Sequence, residues 1–347
     1  MRVLQVDSGR EWRGGQQQVL LLCRELSRNA AVEQVLVTKQ RGELARRAAA
    51  DGITVQGVAW EIGLDPRAWW QLRRAITAFQ PDIIHVHDSH ALTLAATVAP
   101  PPGRSLVATR RVDFHVGRFG AWRRPDRIVA VSSAVKQILI RDGIAADAIT
   151  VVPDGIDADE IRRSAVPPLD IRSDLRLPAS VPLVVNAAAL VDHKDHRTLI
   201  RAAEYARSLE PQLHWIIAGD GALRASLAAE IARLELQDRV HLVGFVERIN
   251  ALIAAADVFV MSSKLEGLGS VILNALALGR PIVATAAGGI PEILPAEVLV
   301  PVGAADALAQ KVVETLRPPH PAPLPFPPRF TACAMAQGVL DVYRALL

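Results

Sequence analysis

The sequence has few of the residues that mark several common protein classes. Its two cysteines among 347 residues, Cys23 and Cys333, lie far apart in apolar, helix-like patterns. They supply neither a disulfide framework nor the spacing of a zinc site. Aromatic residues make up 4% of the chain, and the net charge is only +3. So small an excess argues against a nucleic-acid partner, although it suits an anionic substrate or membrane surface.

Long hydrophobic runs are also missing. No stretch approaches the roughly eighteen apolar residues that a membrane-spanning helix requires. The N-terminus turns polar too soon, at Asp7, for a signal peptide. We therefore expect a cytoplasmic protein that can touch the inner face of a membrane only peripherally.

Short apolar runs alternate instead with helix-period segments along most of the chain. In the first half they predict strands at Arg2–Val6, Val32–Thr38, Ile53–Val58, Ile83–His87, Leu106–Thr109, Ile128–Val131 and Ile149–Val152. In the second half they predict strands at Leu183–Ala189, Leu213–Ala218, Val240–Val243, Val258–Met261, Ile282–Thr285 and Val298–Val300. This rhythm predicts an α/β protein whose parallel sheets are covered by helices on both faces.

The length of the chain predicts two domains, because 347 residues exceed what one core usually serves. Residues 166–181 are rich in proline, serine and charge, and we interpret them as a linker. We therefore predict Rossmann-like domains over 1–165 and 182–330, with a C-terminal helix over 331–347. Two such halves facing across a cleft bind ligands where the carboxyl ends of their strands converge.

The most informative segment is a strand–loop–helix joint in the second half. Its loop contains Gly267 and Gly269, and its helix is predicted to begin at Ser270 and to end at Gly279. The glycines allow a ligand to approach the backbone, and the first amides of a helix favour an anion. We predict a diphosphate site here; the alternative is an ordinary strand–loop–helix joint.

Two polar residues flank this helix start. Glu266 would repel a phosphate, so we expect it to accept hydrogen bonds from sugar hydroxyls. Asn274 lies one turn inside the helix, and its side chain leans back towards the N-terminus, within reach of a ribose diol.

Residues 266–292 resemble the signature of glycosyltransferase family 4, the retaining enzymes of the GT-B fold. That signature has two glutamates separated by seven residues, a small-residue helix and a Gly-Gly-x-Pro-Glu turn. The resemblance implies a donor site formed by Glu266, Gly267, Leu268, Gly269, Ser270, Val271 and Asn274. Asn274 replaces the second glutamate, and an amide accepts from one ribose hydroxyl and donates to the other. The expected loss in donor binding is about 1 kcal/mol.

A second stretch resembles the family segment in which an arginine and, five residues later, a lysine grip the diphosphate. Lys194 matches the lysine, and the alternative is a solvated loop lysine. The arginine position falls on Ala189, so one cation is missing. His193, His196 and Arg197 are candidates to replace it.

Two shorter segments extend the resemblance. Val246 follows the strand whose exit holds the base in the family, where backbone groups make the contact. Gly14 and Gly15 match the Gly-Gly loop that approaches the donor phosphates from the first domain.

The first domain also supplies acceptor or sugar candidates. His85 and His87 lie on one face of a strand end, either as structural histidines or as ligand contacts, and no third ligand at a recognisable spacing supports zinc. The family has a histidine that faces the reacting sugar after the next strand. Strict alignment places Arg111 there, and His115 follows four residues later, so we consider either one beside the leaving phosphate.

The surrounding segment is unusually basic and aromatic. Arg118, Trp122, Arg123 and Arg124 are candidates for an acceptor-side or membrane-facing patch, and the alternative is a basic surface loop.

The resemblance implies retaining transfer of a hexose or heptose from a nucleotide sugar to a saccharide or lipid-linked acceptor, in cell-surface polysaccharide or lipopolysaccharide assembly. It assigns catalysis to Lys194, Glu266 and His115, with no metal, no other cofactor and no nucleic acid.

Three alternative functions differ in how well the sequence fits them. A catalytically weak or inactive GT-B partner subunit is favoured by Ala189 and Asn274. A nucleotide-sugar epimerase is disfavoured, since no cluster of acid/base carboxylates is recognisable. A dinucleotide oxidoreductase is excluded because no Gly-x-Gly-x-x-Gly follows the first strand.

Overall fold

The computed structural model divides the chain into two compact units, each built on one sheet. The first unit comprises Met1–Ile156 and Pro328–Leu347, and the second comprises Asp157–Pro327. The residues that the structure describes are 1–61, 65–98, 103–117 and 119–347.

The first unit has a seven-stranded parallel sheet with helices on both faces. Its strands are β1 (Arg2–Asp7), β2 (Glu33–Lys39), β3 (Val55–Val58), β4 (Ile83–Val86), β5 (Ser105–Arg110), β6 (Arg127–Ala130) and β7 (Ile149–Val151). Its first five helices are α1 (Gly14–Ser27), α2 (Glu43–Ala50), α3 (Pro66–Phe79), α4 (Ser89–Thr97) and α5 (Ser133–Arg141). The strand order is β3-β2-β1-β4-β5-β6-β7.

The second unit repeats this design with a six-stranded parallel sheet in the order β10-β9-β8-β11-β12-β13. Its strands are β8 (Leu183–Ala187), β9 (His214–Ala218), β10 (Val240–Gly244), β11 (Val258–Met261), β12 (Ile282–Thr285) and β13 (Leu299–Val300). Its helices are α6 (Ala158–Ser164), α7 (Ile171–Asp174), α8 (His196–Leu209), α9 (Arg224–Arg233), α10 (Ile249–Ala254), α11 (Ser270–Ala277) and α12 (Ala305–Leu316). Its core includes the fully buried Trp215.

The last helix, α13 (Ala332–Arg344), belongs to the first unit, where it packs against α1. Tyr343 near its end is fully buried. The Tyr343 hydroxyl lies 2.6 Å from Nδ1 of His85 and accepts a 3.3 Å hydrogen bond from Nε2 of Gln5. The helix is therefore attached to the centre of the sheet by polar as well as apolar contacts.

The structure confirms the predicted α/β architecture of two Rossmann-like units and the return of the C-terminal helix to the first. Every predicted strand is present in the described residues, and each end lies within two residues of its expected position. The structure divides the chain at boundaries that differ from the predicted ones. The division falls after Ile156, not at 165, and the predicted linker at 166–181 belongs to the second unit.

The reason for the difference is visible in the tertiary contacts of residues 166–181. The predicted linker contains α7, and Arg172 on that helix forms a 2.6 Å ion pair with Asp257. Leu169 donates its backbone N–H to the carbonyl of Ala251. Contacts between residues so far apart in sequence leave no periodic signal in the chain.

We predict that Tyr343→Phe lowers the free energy of unfolding of the first unit by about 1–3 kcal/mol, because it leaves the buried polar groups of His85 and Gln5 unpaired. Urea denaturation followed by circular dichroism measures the change. Gln337→Ala on the exposed face of the same helix is the control, expected within about 0.5 kcal/mol of the parent protein. Equal stability of the Tyr343→Phe variant and the parent would contradict the proposed role of the hydroxyl.

Candidate active site

The order of strands in the second unit changes direction between β8 and β11. The strands that follow β8 lie on one side of it, and those that follow β11 lie on the other. Connections leaving such a pair diverge, which opens a crevice at the carboxyl ends of the strands where α/β sheets bind ligands. Lys194 follows β8 and Glu266 follows β11, so both flank this point.

Lys194 and Glu266 form a direct ion pair between Nζ and Oε2. Their side chains are 17% and 12% exposed, so the pair is well shielded from solvent. The Ser263 hydroxyl donates a 3.2 Å hydrogen bond to the same carboxylate oxygen. An ammonium group has three protons, so Lys194 keeps donors for a second anionic partner.

Backbone contacts hold the two loops together behind this pair. The N–H of Lys264 donates to the carbonyl of His193 at 2.9 Å, and the Ser262 hydroxyl donates to the carbonyl of Lys194 at 3.1 Å. The lysine is thus placed by the fold of the loops as well as by its partner charge.

The helix that follows, α11, begins as predicted at Ser270, although its last helical residue is Ala277. Its N-cap is Gly269, in the left-handed region at φ +88°, and no side chain caps the helix. The N–H groups of Ser270 and Val271 precede the first intrahelical bonds. Such N–H groups, with the positive end of the helix dipole behind them, favour an anion, and a phosphate at this helix start stays a prediction.

The two glycines of the Gly-Gly-x-Pro-Glu turn, Gly288 and Gly289, pack against the backbone of the Glu266 loop. The N–H of Gly289 donates to the carbonyl of Glu266 at 3.0 Å. Gly288 has φ +49°, and a Cβ at this position would lie 1.8 Å from that carbonyl oxygen. Gly267 and Leu268 are buried in the same loop. This turn therefore fixes the conformation of the predicted donor loop.

The other predicted donor residues of this unit lie nearby. Asn274 is 8% exposed, and its Nδ2 donates a 2.8 Å hydrogen bond to Oδ1 of Asn250 on α10. Val246 lies just beyond β10, beside Phe245, whose side chain is 70% exposed. Contacts of Asn274 with a ribose and of Val246 with a base stay predictions.

Two of the candidates to replace the missing arginine at Ala189 are poorly suited to that role. His196 is buried, and burial followed by the charge of Lys194 lowers its pKa to about 4, so it is neutral near pH 7. Arg197 is exposed and faces Glu230 on α9, with 3.9 Å between Nε and Oε2.

In the first unit the strand order changes direction between β1 and β4. Helix α1 follows β1 and begins at Gly14. Its N-cap, Arg13, makes no side-chain hydrogen bond to the helix. A Cβ at Gly15 would meet no atom within 4 Å, so the space in front of this residue is open in this unit. Phosphate contacts from Gly14 and Gly15 stay predictions.

A pair of carboxylates at the same point was missed by the sequence analysis. Asp7 ends β1, and Asp88 caps α4 and accepts a 2.7 Å hydrogen bond from the N–H of Ser8. Burial, and then the charge of Asp88, raise the pKa of Asp7 to about 6. The available signal was an aspartate directly after each of two predicted strands.

His85 is not placed to contact a ligand, which corrects its assignment as an acceptor or sugar contact. Its ring is fully buried, and Nε2 lies 2.7 Å from the Thr109 hydroxyl while Nδ1 lies beside Tyr343. Burial, and then the charge of Arg111, lower its pKa to about 3. The structure therefore supports the alternative of a structural histidine.

His87 and Arg111 lie together at the end of β4, with His87 on the same side as His85, as strand alternation predicted. Nε2 of His87 lies 2.8 Å from Oε1 of Gln5, which can only accept, so that nitrogen carries the proton. Arg111 forms a 3.1 Å ion pair with Asp154, and both side chains are nearly buried. Sugar or phosphate contacts from His87 and Arg111 stay predictions.

His115 is not brought together with these residues. Its Nδ1 lies 2.6 Å from a carboxylate oxygen of Asp142, and its side chain is 72% exposed. Asp142 precedes β7, whereas Asp154, the partner of Arg111, follows that strand, so the two contacts lie towards opposite ends of β7. This placement does not support His115 as a catalytic residue beside the leaving phosphate.

The basic and aromatic segment is partly occupied by internal contacts. The guanidinium carbon of Arg110 lies 4.9 Å from the centre of the Trp122 ring. Arg123 donates to the backbone carbonyls of Asp142 and Gly143, just after α5. Arg124 is exposed, and Arg118 lies outside the described residues. An acceptor-side or membrane-facing patch stays a prediction.

Two features are absent from residues 1–61, 65–98, 103–117 and 119–347. Across those ranges, no three His, Cys, Asp or Glu side chains are grouped as metal ligands. No described helix combines the length and the apolar character needed to cross a bilayer.

Both halves of the chain match known families. Residues 169–322 match the family described as Glycosyl transferases group 1, and residues 12–160 match the one described as Glycosyltransferase Family 4. The chain belongs to the group 1 glycosyltransferases of family 4. The family prediction is therefore confirmed.

The curated relatives cover parts of the chain. The GPI3 subunit of phosphatidylinositol N-acetylglucosaminyltransferase from Saccharomyces cerevisiae is 28% identical over 50% of this chain and 39% of its own length. The lipopolysaccharide core biosynthesis glycosyltransferase LpsE from Rhizobium meliloti is 38% identical over 34% of each protein. The matches thus span well under two thirds of either relative.

A solved structure matches the whole chain. The crystal structure of Anabaena HepE in complex with UDP and glucose has a TM-score of 0.77 at 21% identity, covering 100% of this chain and 97% of that one. At this identity the similarity establishes the GT-B fold.

We predict that Gly288→Ala destabilises the second unit, because its Cβ collides with the carbonyl of Glu266. Gly303→Ala is the matched control, since Gly303 also has a positive φ, +79°, but a Cβ there meets no atom within 4 Å. The free energy of unfolding in urea is expected to fall by about 1–3 kcal/mol more for Gly288→Ala than for the control. Equal losses would contradict the role assigned to this turn.

Proposed function

We propose that this glycosyltransferase is a retaining enzyme that moves a hexose or heptose from a nucleotide-sugar donor to a saccharide or lipid-linked acceptor in cell-surface polysaccharide or lipopolysaccharide assembly. Neither a metal ion nor another cofactor takes part in the proposed reaction. The observation that carries the proposal is the presence of Lys194 and the uncapped start of α11 at one point of the sheet.

These groups suit a departing diphosphate. When the donor reacts, negative charge grows on the phosphate oxygen that leaves the sugar. Preorganised donors that stabilise such charge account for a large part of catalysis in many enzymes. Lys194 supplies a full positive charge, and Ser270 and Val271 supply N–H groups at the positive end of a helix dipole. Glu266 accepts hydrogen bonds from the sugar hydroxyls and holds the lysine in position.

The proposed step needs no side-chain nucleophile. The bond between the anomeric carbon and the diphosphate oxygen breaks, and the acceptor oxygen forms the new glycosidic bond on the same face of the sugar. The leaving phosphate takes the proton of the acceptor hydroxyl, so atoms and charges balance. His115 has no part in this step.

The names of similar proteins support the choice of substrates. HepE was crystallised with UDP and glucose, and LpsE is described as acting in lipopolysaccharide core biosynthesis. A lipid-linked acceptor is consistent with peripheral contact at an anionic membrane, with Arg124 as an exposed basic residue of the first unit.

A catalytically weak or inactive partner subunit is the second candidate. Ala189 stands where the family has a cationic contact, His196 is neutral near pH 7, and Arg197 faces Glu230. The yeast relative is itself described as a subunit of its transferase.

We predict that the purified protein hydrolyses or transfers sugar from at least one member of a panel of UDP-, GDP- and ADP-sugars, and that Lys194→Met lowers kcat/KM by about 100- to 1000-fold. Lys311→Met on α12 is the control and keeps the parent rate, since Lys311 forms its ion pair with Glu314 on its own helix. Circular dichroism of both variants checks that they are folded.

Reaction with no donor in the panel would reject the enzyme in favour of the partner-subunit alternative. Full activity of Lys194→Met would retain the enzyme but contradict the site.

A further inference from the structure

A chain of side-chain hydrogen bonds ends at Asn274, where the family has its second glutamate. Nδ2 of Asn274 donates to Oδ1 of Asn250 at 2.8 Å, and Nδ2 of Asn250 donates to the Ser164 hydroxyl at 2.9 Å. The Ser164 hydroxyl donates in turn to the carbonyl of Ile161 at 3.0 Å. The chain thus connects α11, α10 and α6 within the second unit.

The direction of this chain is set at its far end. A backbone carbonyl can only accept, so the Ser164 hydroxyl donates its single proton to the carbonyl of Ile161. The Ser164 oxygen then accepts the hydrogen bond from Asn250. Asn250 must then offer its NH₂ group to Ser164 and its carbonyl oxygen to Asn274. The reverse direction would lose the bond to Ile161, because a serine hydroxyl has no second proton.

The consequence is a fixed orientation of the Asn274 amide. Its NH₂ group faces Asn250, so its Oδ1 points the other way. No donor among the described residues pairs with this oxygen. The oxygen is also not among the fully buried polar atoms of the structure. Asn274, which is 8% exposed, therefore presents an acceptor that is not fully buried, one turn inside α11.

We propose that Asn250 is a positioning residue for nucleotide recognition. It holds Asn274 with its carbonyl oxygen towards the bound nucleotide, where the oxygen accepts a hydrogen bond from a ribose hydroxyl. An amide fixed in this way supplies the acceptor that a carboxylate would supply at the same position. This inference rests on the proposed nucleotide-sugar donor and adds the group that selects its ribose.

Titration calorimetry of the full chain tests the inference with UDP, GDP and ADP. The diphosphate that binds most tightly is then compared with its dideoxyribose analogue, which lacks both ribose hydroxyls. The parent protein is expected to bind the ribose form about 3- to 10-fold more tightly, the worth of one neutral hydrogen bond.

Two substitutions of Asn250 separate orientation from structural support. Asn250→Leu removes the acceptor that orients Asn274, and the ratio between the two ligands is expected to fall towards one. Asn250→Asp keeps an acceptor for Nδ2 of Asn274, so the ratio is expected to persist. Asn274→Leu is expected to reduce the ratio between the two ligands to about one, whichever residue occupies position 250.

A merely structural role for Asn250 predicts a different result. Asn250→Leu would then weaken both ligands equally and leave the ratio unchanged, which would overturn the inference while the donor site stands. Binding of none of the three diphosphates to the parent protein would overturn the proposed function together with this inference.

Discussion

The ion pair between Lys194 and Glu266 joins the two loops on which the predicted donor site depends. Each charge is largely removed from water, so either one alone would be costly to keep in place. The Ser263 hydroxyl shares the carboxylate, and the turn at Gly288 and Gly289 lies directly beneath the carbonyl of Glu266. The cation is thus held in position without a ligand, and in the proposed reaction it stabilises the departing phosphate with little reorganisation.

The two units place their polar groups by the same rule of topology. In each sheet the strand order changes direction once, between β1 and β4 or between β8 and β11, and the polar side chains gather at the ends of those strands. The polar side chains have different roles in the two units. In the first unit, His85 is fully buried and joins β4 to α13 through Tyr343. In the second unit, α11 begins without a side-chain cap, because the glycine that precedes it has no side chain.

Much of the fold and of the candidate site was predictable from the sequence, since strands, glycine loops and helix starts leave local patterns. The strand ends, the start of α11 at Ser270 and the shared face of His85 and His87 all follow from short-range rules. The fate of His85 was not predictable, because its partner Tyr343 is 258 residues away along the chain. The contact of His115 with Asp142 and the bond from Asn274 to Asn250 are likewise tertiary. The sequence pattern likewise did not show that residues 166–181 belong to the second unit.

A crystal structure of the protein with UDP, GDP or ADP bound tests most directly whether the start of α11 and Lys194 form the phosphate site. The expected result is a phosphate group with oxygens about 2.7–3.2 Å from the backbone nitrogens of Ser270 and Val271, and with Nζ of Lys194 in contact. A diphosphate bound away from the carboxyl ends of β8 and β11, with the Lys194–Glu266 pair undisturbed and no ligand at the helix start, would contradict this account.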